Sequence, residues 1–191
     1  MAEHKNLGII GYDSIRFVSL DLERSREFYV DKMDFAVTGR TTPGFEQEFG
    51  YKGLVFSARN ITVEVVESLD DLSAPAKHLR QHSAGISAVR FLVKDIEFAR
   101  DTLASRGATF MNDGVLTTEA DGGTYRFFEI ASPLGNTTYG FVQRDNFSRF
   151  APGFDTIDGE GGTNKFDFAG IDHLTSNMRT LKPYIDWFKN V

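Results

Sequence analysis

A repeated strand-and-helix pattern constrains this chain more than any other feature of its sequence. The pattern opens at three glycines, Gly11, Gly85 and Gly170. Each opening carries apolar side chains at alternate or consecutive positions, which is typical of a strand. Apolar residues at helical spacing follow, after Asp21 in the first copy and after Asp95 in the second. Because each copy of a repeat forms one supersecondary unit, the fold is expected to be assembled from such units.

The first two copies continue with three more strands each. The predicted strands cover residues 35–40, 53–57 and 61–67, and then 108–112, 125–131 and 137–143. The unit is therefore βαβββ, written twice in full. A single unit leaves one face of its sheet uncovered. We therefore expect an α+β fold in which the two units pair into a curved mixed sheet with helices outside.

The repeats also predict the domain organisation. Residues 8–148 form an N-terminal domain with units at about 8–70 and 84–148, and residues 149–166, rich in Gly and acidic residues, are predicted to be a linker. Residues 167–191 are interpreted as the first strand and helix of a truncated catalytic domain. The alternative for this last segment is a C-terminal helix that packs back on the preceding domain.

Composition narrows the classes of function. A net charge of −6 argues against nucleic acid or an anionic membrane as the partner, since both favour clustered Lys and Arg. The absence of cysteine excludes disulfides and thiolate metal sites. The sequence contains neither a recognisable signal peptide nor an apolar stretch long enough to span a bilayer, so a cytoplasmic location is expected.

Four segments of the chain follow one another in a characteristic order. They are residues 11–35, a strand and helix followed by Asp34-Phe35; residues 81–86, which lead into the second unit; residues 139–154, which leave it; and residues 170–178, which open with Gly-Ile-Asp-His. In this order they resemble the 4-hydroxyphenylpyruvate dioxygenase family of the vicinal oxygen chelate (glyoxalase-like) superfamily. In that family the first segment ends in a Gly-Phe-like step, the third is the exit from the N-terminal domain, and the fourth is the strand that supplies the first iron ligand.

The resemblance implies an Fe(II)-dependent dioxygenase whose substrates are an aromatic 2-oxo acid and O₂, and which self-associates. It maps the first metal ligand onto His173, while the second histidine and the carboxylate would come from sequence beyond residue 191. The parent is expected to convert 4-hydroxyphenylpyruvate to homogentisate by oxidative decarboxylation and ring hydroxylation, and this chain alone is expected to be inactive. The alternatives are a 4-hydroxymandelate synthase and a non-enzymatic small-molecule-binding member of the superfamily.

Two residues near His173 are candidates for the substrate pocket. Thr175 would share a strand face with His173 by the two-residue period, and Asn177 is retained from the family motif. Thr175 and Ser176 stand where relatives of this family have Val-Gly. This departure leaves the exact substrate open.

The internal repeat predicts that the N-terminal domain holds no metal. Ser14 and Ala88 occupy the position equivalent to His173, and Gly140 occupies the position equivalent to Glu64. Only Glu64 among these four positions has a side chain suited to bind a metal. One carboxylate does not make a site, so the domain is interpreted as a scaffold and subunit contact with no cofactor bound.

Two other histidines have a spacing that occurs in metal sites. His78 and His82 are four residues apart and could share a helix face. The nearby Pro75 and the polar surroundings favour an exposed connection instead, and that is the prediction for this segment.

Overall fold

The computed structural model describes residues 6–191 and divides them into two compact units. Unit 1 comprises residues 6–13, Ala88–Phe147 and His173–Val191. Unit 2 comprises Ser14–Ser87 and Ser148–Asp172. Strands β1 (Ile9–Ser19) and β5 (Gly85–Val93) each have residues in both units.

Unit 2 is a five-stranded mixed sheet with short helices. Its elements after β1 are α1 (Leu22–Glu27), which continues into a π-helical turn (Phe28–Lys32), β2 (Ala36–Thr41), α2 (Pro43–Phe49), β3 (Tyr51–Ala58), β4 (Ile61–Ser68), α3 (Ala74–Leu79) and β9 (Phe154–Gly161). The strand order is β1-β4-β3-β2-β9. Only the pairing of β1 with β4 is parallel, and the other neighbours are antiparallel.

Side-chain caps fix where the helices of unit 2 begin. Asp21 accepts a hydrogen bond from the Arg24 backbone N–H at 2.9 Å, so α1 starts where the sequence predicts. Thr42 and Ser73 cap α2 and α3 in the same way, each followed by proline in the first turn. These two helices are absent from the sequence-based prediction.

The main core of unit 2 lies between α1 and the sheet. Its buried members are Leu22, Phe35, Val37, Phe56, Ala58, Val63 and Val65. Phe56 is fully buried and stacks on Tyr29, with ring centroids 4.8 Å apart. Burial of one such aromatic side chain stabilises a fold by about 1.5–3 kcal/mol. A smaller cluster of Val18, Tyr51 and Val66 packs with Phe45 and Leu79, which lie on α2 and α3.

Unit 1 repeats the strand arrangement around a second core. It contains α4 (Ile96–Ser105), β6 (Leu116–Ala120), β7 (Gly123–Ala131), β8 (Thr138–Asp145) and α5 (Lys182–Asn190), with strand order β6-β7-β8-β5. The β5–β8 pair is parallel, as the β1–β4 pair is in unit 2. The core consists of Val93, Ile96, Ala99, Leu103, Phe128, Ile130 and Phe141. The predicted α+β class, with repeated units and helices outside mixed sheets, is confirmed.

The second half of the repeat differs from its prediction in one strand. Residues 108–112 form only an isolated bridge, between Phe110 and Ile130, and the edge strand of the sheet is β6. Most side chains of β6 are exposed. An edge strand with few buried side chains lacks the apolar alternation that identifies a strand in a sequence.

The segment predicted as a linker, residues 149–166, contains strand β9. This strand pairs antiparallel with β2, and Phe154 is buried at its first position. Backbone hydrogen bonds rather than side-chain burial hold it, since most of its other residues are exposed. The Gly-rich and acidic composition of residues 149–166 therefore gives no indication of the strand that they contain.

The last segment forms a helix but not the predicted strand. Residues 170–178 adopt no regular secondary structure. Helix α5 packs on the core of unit 1 through Trp187, and Val191 after it joins the same contact. Among residues 6–191, no helix is long and apolar enough to cross a membrane.

Candidate functional site

Glu64, the carboxylate at a position where the repeat would place a metal ligand in unit 2, forms an ion pair with an arginine. Arg16 on β1 lies directly opposite Glu64 on β4, and Arg16 Nε donates to Glu64 Oε2 at 2.8 Å. The Glu64 side chain is fully buried, and that of Arg16 is 23% exposed. The guanidinium also lies 5.8 Å from the centre of the Tyr51 ring. A buried carboxylate needs a compensating charge, and here a side chain of the protein supplies it.

The same register in unit 1 places an arginine opposite a glycine. Arg90 pairs with Gly140 across β5 and β8, as Arg16 pairs with Glu64 across β1 and β4. Arg90 is 5% exposed and its guanidinium lies 5.9 Å from the Phe127 ring centre. A Cβ at Gly140 would come within 2.8 Å of the Phe127 ring and 2.9 Å of Arg90 Cγ. The space for a ligand side chain at this position is therefore already filled.

The remaining two predicted positions of the repeat carry no strong ligand. Ser14 is buried on β1 in unit 2, and Ala88 is buried on β5 in unit 1. A hydroxyl is a weak ligand unless it is deprotonated, and the alanine methyl cannot bind a metal.

Unit 1 contains a second buried ion pair, which the sequence analysis missed. Arg144 on β8 forms a salt bridge with Asp13 on β1, and a second contact joins Nη2 and Oδ2 at 3.3 Å. The Asp13 side chain is 4% exposed. The Arg144 guanidinium also lies 5.1 Å from the Tyr125 ring centre. No spacing rule predicts this pair, because its partners are 131 residues apart.

The predicted metal ligand and the two candidates for the substrate pocket lie in one exposed segment. His173, Thr175 and Asn177 are all exposed, within residues 170–178 that form no regular structure. The two-residue alternation that was expected to align Thr175 with His173 does not apply, because it requires a strand. The structure therefore places His173 at the surface of unit 1.

The described residues do not supply a complete site for iron. Non-haem Fe(II) sites of this class use two imidazoles and a carboxylate on one face of the metal. Across residues 6–191, no three or more His, Asp, Glu or Cys side chains are grouped so that they could hold a metal ion. His173 is thus a candidate ligand that belongs to no such group within the described residues, and Glu64 has Arg16 as its cation.

The histidines at 78 and 82 are placed differently from their prediction. His78 lies on α3 and is only 8% exposed, whereas an exposed connection was predicted. The Ser73 cap starts this helix, and His78 is on its buried side together with Pro75. Only His82, in the following bend, is exposed.

Comparison with known proteins agrees with the architecture and with the resemblance seen in the sequence. Residues 11–138 match the family model described as Glyoxalase/Bleomycin resistance protein/Dioxygenase superfamily. Among solved structures, the methylmalonyl-CoA epimerase of Mycobacterium tuberculosis superposes with a TM-score of 0.60 at 19% identity, covering 71% of this chain and 89% of that protein. A hypothetical protein of Bacillus halodurans gives 0.58 at 21% identity, covering 72% and 96%. At these identities the likeness is one of fold.

Curated relatives extend the match along the chain. A 4-hydroxyphenylpyruvate dioxygenase of Dictyostelium discoideum is 24% identical over 95% of this chain and 51% of its own length. One of Caenorhabditis briggsae is 26% identical over 96% of this chain and 48% of its own length. The chain therefore spans about half the length of these relatives. With the family model covering residues 11–138, the chain belongs to the glyoxalase, bleomycin resistance protein and dioxygenase superfamily.

Proposed function

We propose that this chain is the N-terminal part of an Fe(II)-dependent dioxygenase that converts 4-hydroxyphenylpyruvate to homogentisate. The observation that carries the proposal is the match to relatives of that name over 95% of this chain and only 51% of the relative. The reaction is an oxidative decarboxylation with ring hydroxylation. Its substrates would be the aromatic 2-oxo acid and O₂, and the whole protein would self-associate.

The proposed role of each part of the chain follows from where the side chains that could bind a metal lie. The two repeat units would act as a scaffold, because Glu64 is paired with Arg16 and the position of Gly140 is filled by neighbouring side chains. His173 would contribute one imidazole to the iron site, and Thr175 and Asn177 would line the substrate pocket. The other ligands would come from the remainder of the protein. The 191-residue chain alone would not turn over.

A specific observation also supports a second candidate. Helix α5 packs on the core of unit 1 through Trp187. Two repeat units with their helices packed in this way would suit a non-enzymatic member of the superfamily that binds a small molecule. Within the enzyme hypothesis, a 4-hydroxymandelate synthase is the alternative, because it would use the same substrate and would differ in the carbon that is hydroxylated.

The test is to express the complete reading frame that contains this chain and to assay it with Fe(II), O₂ and 4-hydroxyphenylpyruvate. We expect homogentisate as the product, and 4-hydroxymandelate would identify the alternative enzyme. His173→Ala should abolish both iron retention and product formation. Thr175→Val is the matched control: it restores the residue of the family motif and should retain iron. A reading frame that stops at Val191, or a full-length protein without activity, would refute the proposal.

A further inference from the structure

His78 and His82 form a pair on the surface of unit 2 that neither the fold nor the proposed function uses. His82 N–H donates to the His78 carbonyl at 2.9 Å, so the helical turn continues past the last residue of α3. Residues four apart on a helix share one face. Accordingly the two imidazole rings are adjacent, with centroids 5.1 Å apart and planes inclined at 39°.

The ring separation suits a shared metal ion. Zn²⁺ binds imidazole nitrogen at about 2.0–2.1 Å in tetrahedral geometry. Two imidazoles on one such ion have centroids roughly 5 Å apart, given those bond lengths and a near-tetrahedral angle. The rings of His78 and His82 therefore already have the spacing of a chelate.

His78 provides an independent indication that a ligand belongs here. His78 is only 8% exposed, yet among residues 6–191 its Nδ1 has no hydrogen-bond partner. A buried polar atom without a partner is costly and requires an explanation.

We propose that His78 and His82 bind one divalent metal ion of the Zn²⁺ class as a two-histidine chelate. Water would complete the coordination, since the described part of the chain groups no third His, Asp, Glu or Cys with this pair. Imidazole ligands favour zinc and the later transition metals over Mg²⁺ or Ca²⁺. The bound ion would fix the turn that leads from α3 into β5. It would stabilise the fold because it binds only the native state.

The experiment uses the whole chain with His4→Ala and His173→Ala, which leaves His78 and His82 as the only histidines. Zn²⁺ binding is measured by competition with a chromophoric chelator, and the imidazole nitrogens are followed by NMR. We expect one Zn²⁺ per chain and shifts of both imidazole signals. His82→Ala should weaken binding at least about tenfold, because loss of even an outer-shell partner of a metal ligand costs 10–100-fold.

Gln81→Ala is the matched control, since it changes an exposed neighbour and should leave Zn²⁺ affinity unchanged. His82 is itself exposed, so His82→Ala should fold normally, which circular dichroism checks. Three results would overturn the proposal: no stoichiometric Zn²⁺, affinity unaffected by His82→Ala, or a shift of the His82 signals alone. This site is independent of the dioxygenase hypothesis, because neither His78 nor His82 has a role in it.

Discussion

Arg16 and Glu64 face each other on neighbouring parallel strands, and their side chains form a salt bridge at 2.8 Å with the carboxylate fully buried. The equivalent pair of the repeat is Arg90 and Gly140. At this position unit 2 thus has a carboxylate that is paired with an arginine of the protein, and unit 1 has a glycine. The proposed scaffold role of the two units rests on this relationship.

Removal of the Arg16 guanidinium should strongly destabilise the fold. Arg16→Met keeps much of the aliphatic stem but leaves the Glu64 charge buried without its cation, which costs about 3 kcal/mol. The double variant Arg16→Met, Glu64→Gln removes that charge as well and should recover part of the loss. Urea denaturation measures both free energies of unfolding. Equal stability of the single and double variants would show that the buried Glu64 charge does not need Arg16 as its cation.

A side chain at Gly140 should be poorly tolerated. Gly140→Ala would push a methyl group into Phe127 and Arg90, and overpacking of this kind costs about 1–3 kcal/mol. Gly11→Ala is the control, because a Cβ at Gly11 meets no atom within 4 Å. Thermal unfolding should show a lower midpoint for Gly140→Ala only. Equal midpoints for the two variants would mean that position 140 has room for a side chain that could bind a metal.

Asp34 should make the stability of unit 2 depend on pH. The backbone N–H of Lys165 donates to its carboxylate at 2.6 Å and is the largest factor that lowers the pKa of Asp34 below its ordinary value of 3.8. Partial burial opposes this effect, whereas hydrogen bonds from Thr163 and the charge of Lys165 reinforce it. Because the pKa is lower in the folded state, the contribution is complete above pH 3.8 and disappears as the pH falls through the folded value.

The matched variant for this prediction is Asp34→Asn. Asp34 has a φ of 59°, and asparagine tolerates this left-handed backbone as well as aspartate does. Asn therefore removes the charge without adding backbone strain. The variant should be less stable than the parent chain at pH 7, and the two should converge as the pH drops below 3.8. The measurement extends to about pH 2.5, which is roughly one unit below the ordinary pKa of an aspartate. A difference in urea midpoint between the two proteins that stays constant over this range would contradict the prediction.

Trp187 should report the docking of α5. It is the only tryptophan in the chain, and its ring lies 6.0 Å from that of Tyr139. Because it packs on the unit 1 core, its fluorescence should be blue-shifted relative to a solvated indole. Tyr139→Ala should shift the emission to the red, whereas Phe49→Ala, a change of an exposed aromatic residue in unit 2, should not. An emission maximum of a fully solvated indole in the unmodified chain would mean that α5 does not dock.

Most of the fold follows from short-range signals in the sequence. Alternating apolar residues identify β4 and β7, and the caps Asp21 and Asp95 mark where α1 and α4 begin. The short helices α2 and α3 also carry a readable signal, a Thr or Ser cap followed by proline in the first turn.

Other features depend on partners far along the chain. Strand β9 exists because β2 offers a free edge, which its own Gly-rich sequence does not reveal. The repeat identifies Glu64 as the only carboxylate at the four equivalent positions, but not the arginine that neutralises it. The burial of His78 depends on how α3 packs on β4, so sequence spacing alone could not separate a buried ring from an exposed one.

The most direct test of the account is Fe(II) binding by the 191-residue chain itself. Anaerobic titration is performed on the chain carrying His82→Ala, which removes the proposed zinc chelate from the measurement. Oxygen consumption is then recorded with 4-hydroxyphenylpyruvate. We expect no stoichiometric iron and no oxygen uptake, since the described residues group no complete ligand set. One tightly bound iron per chain, lost in Glu64→Gln or in His173→Ala, would contradict the account.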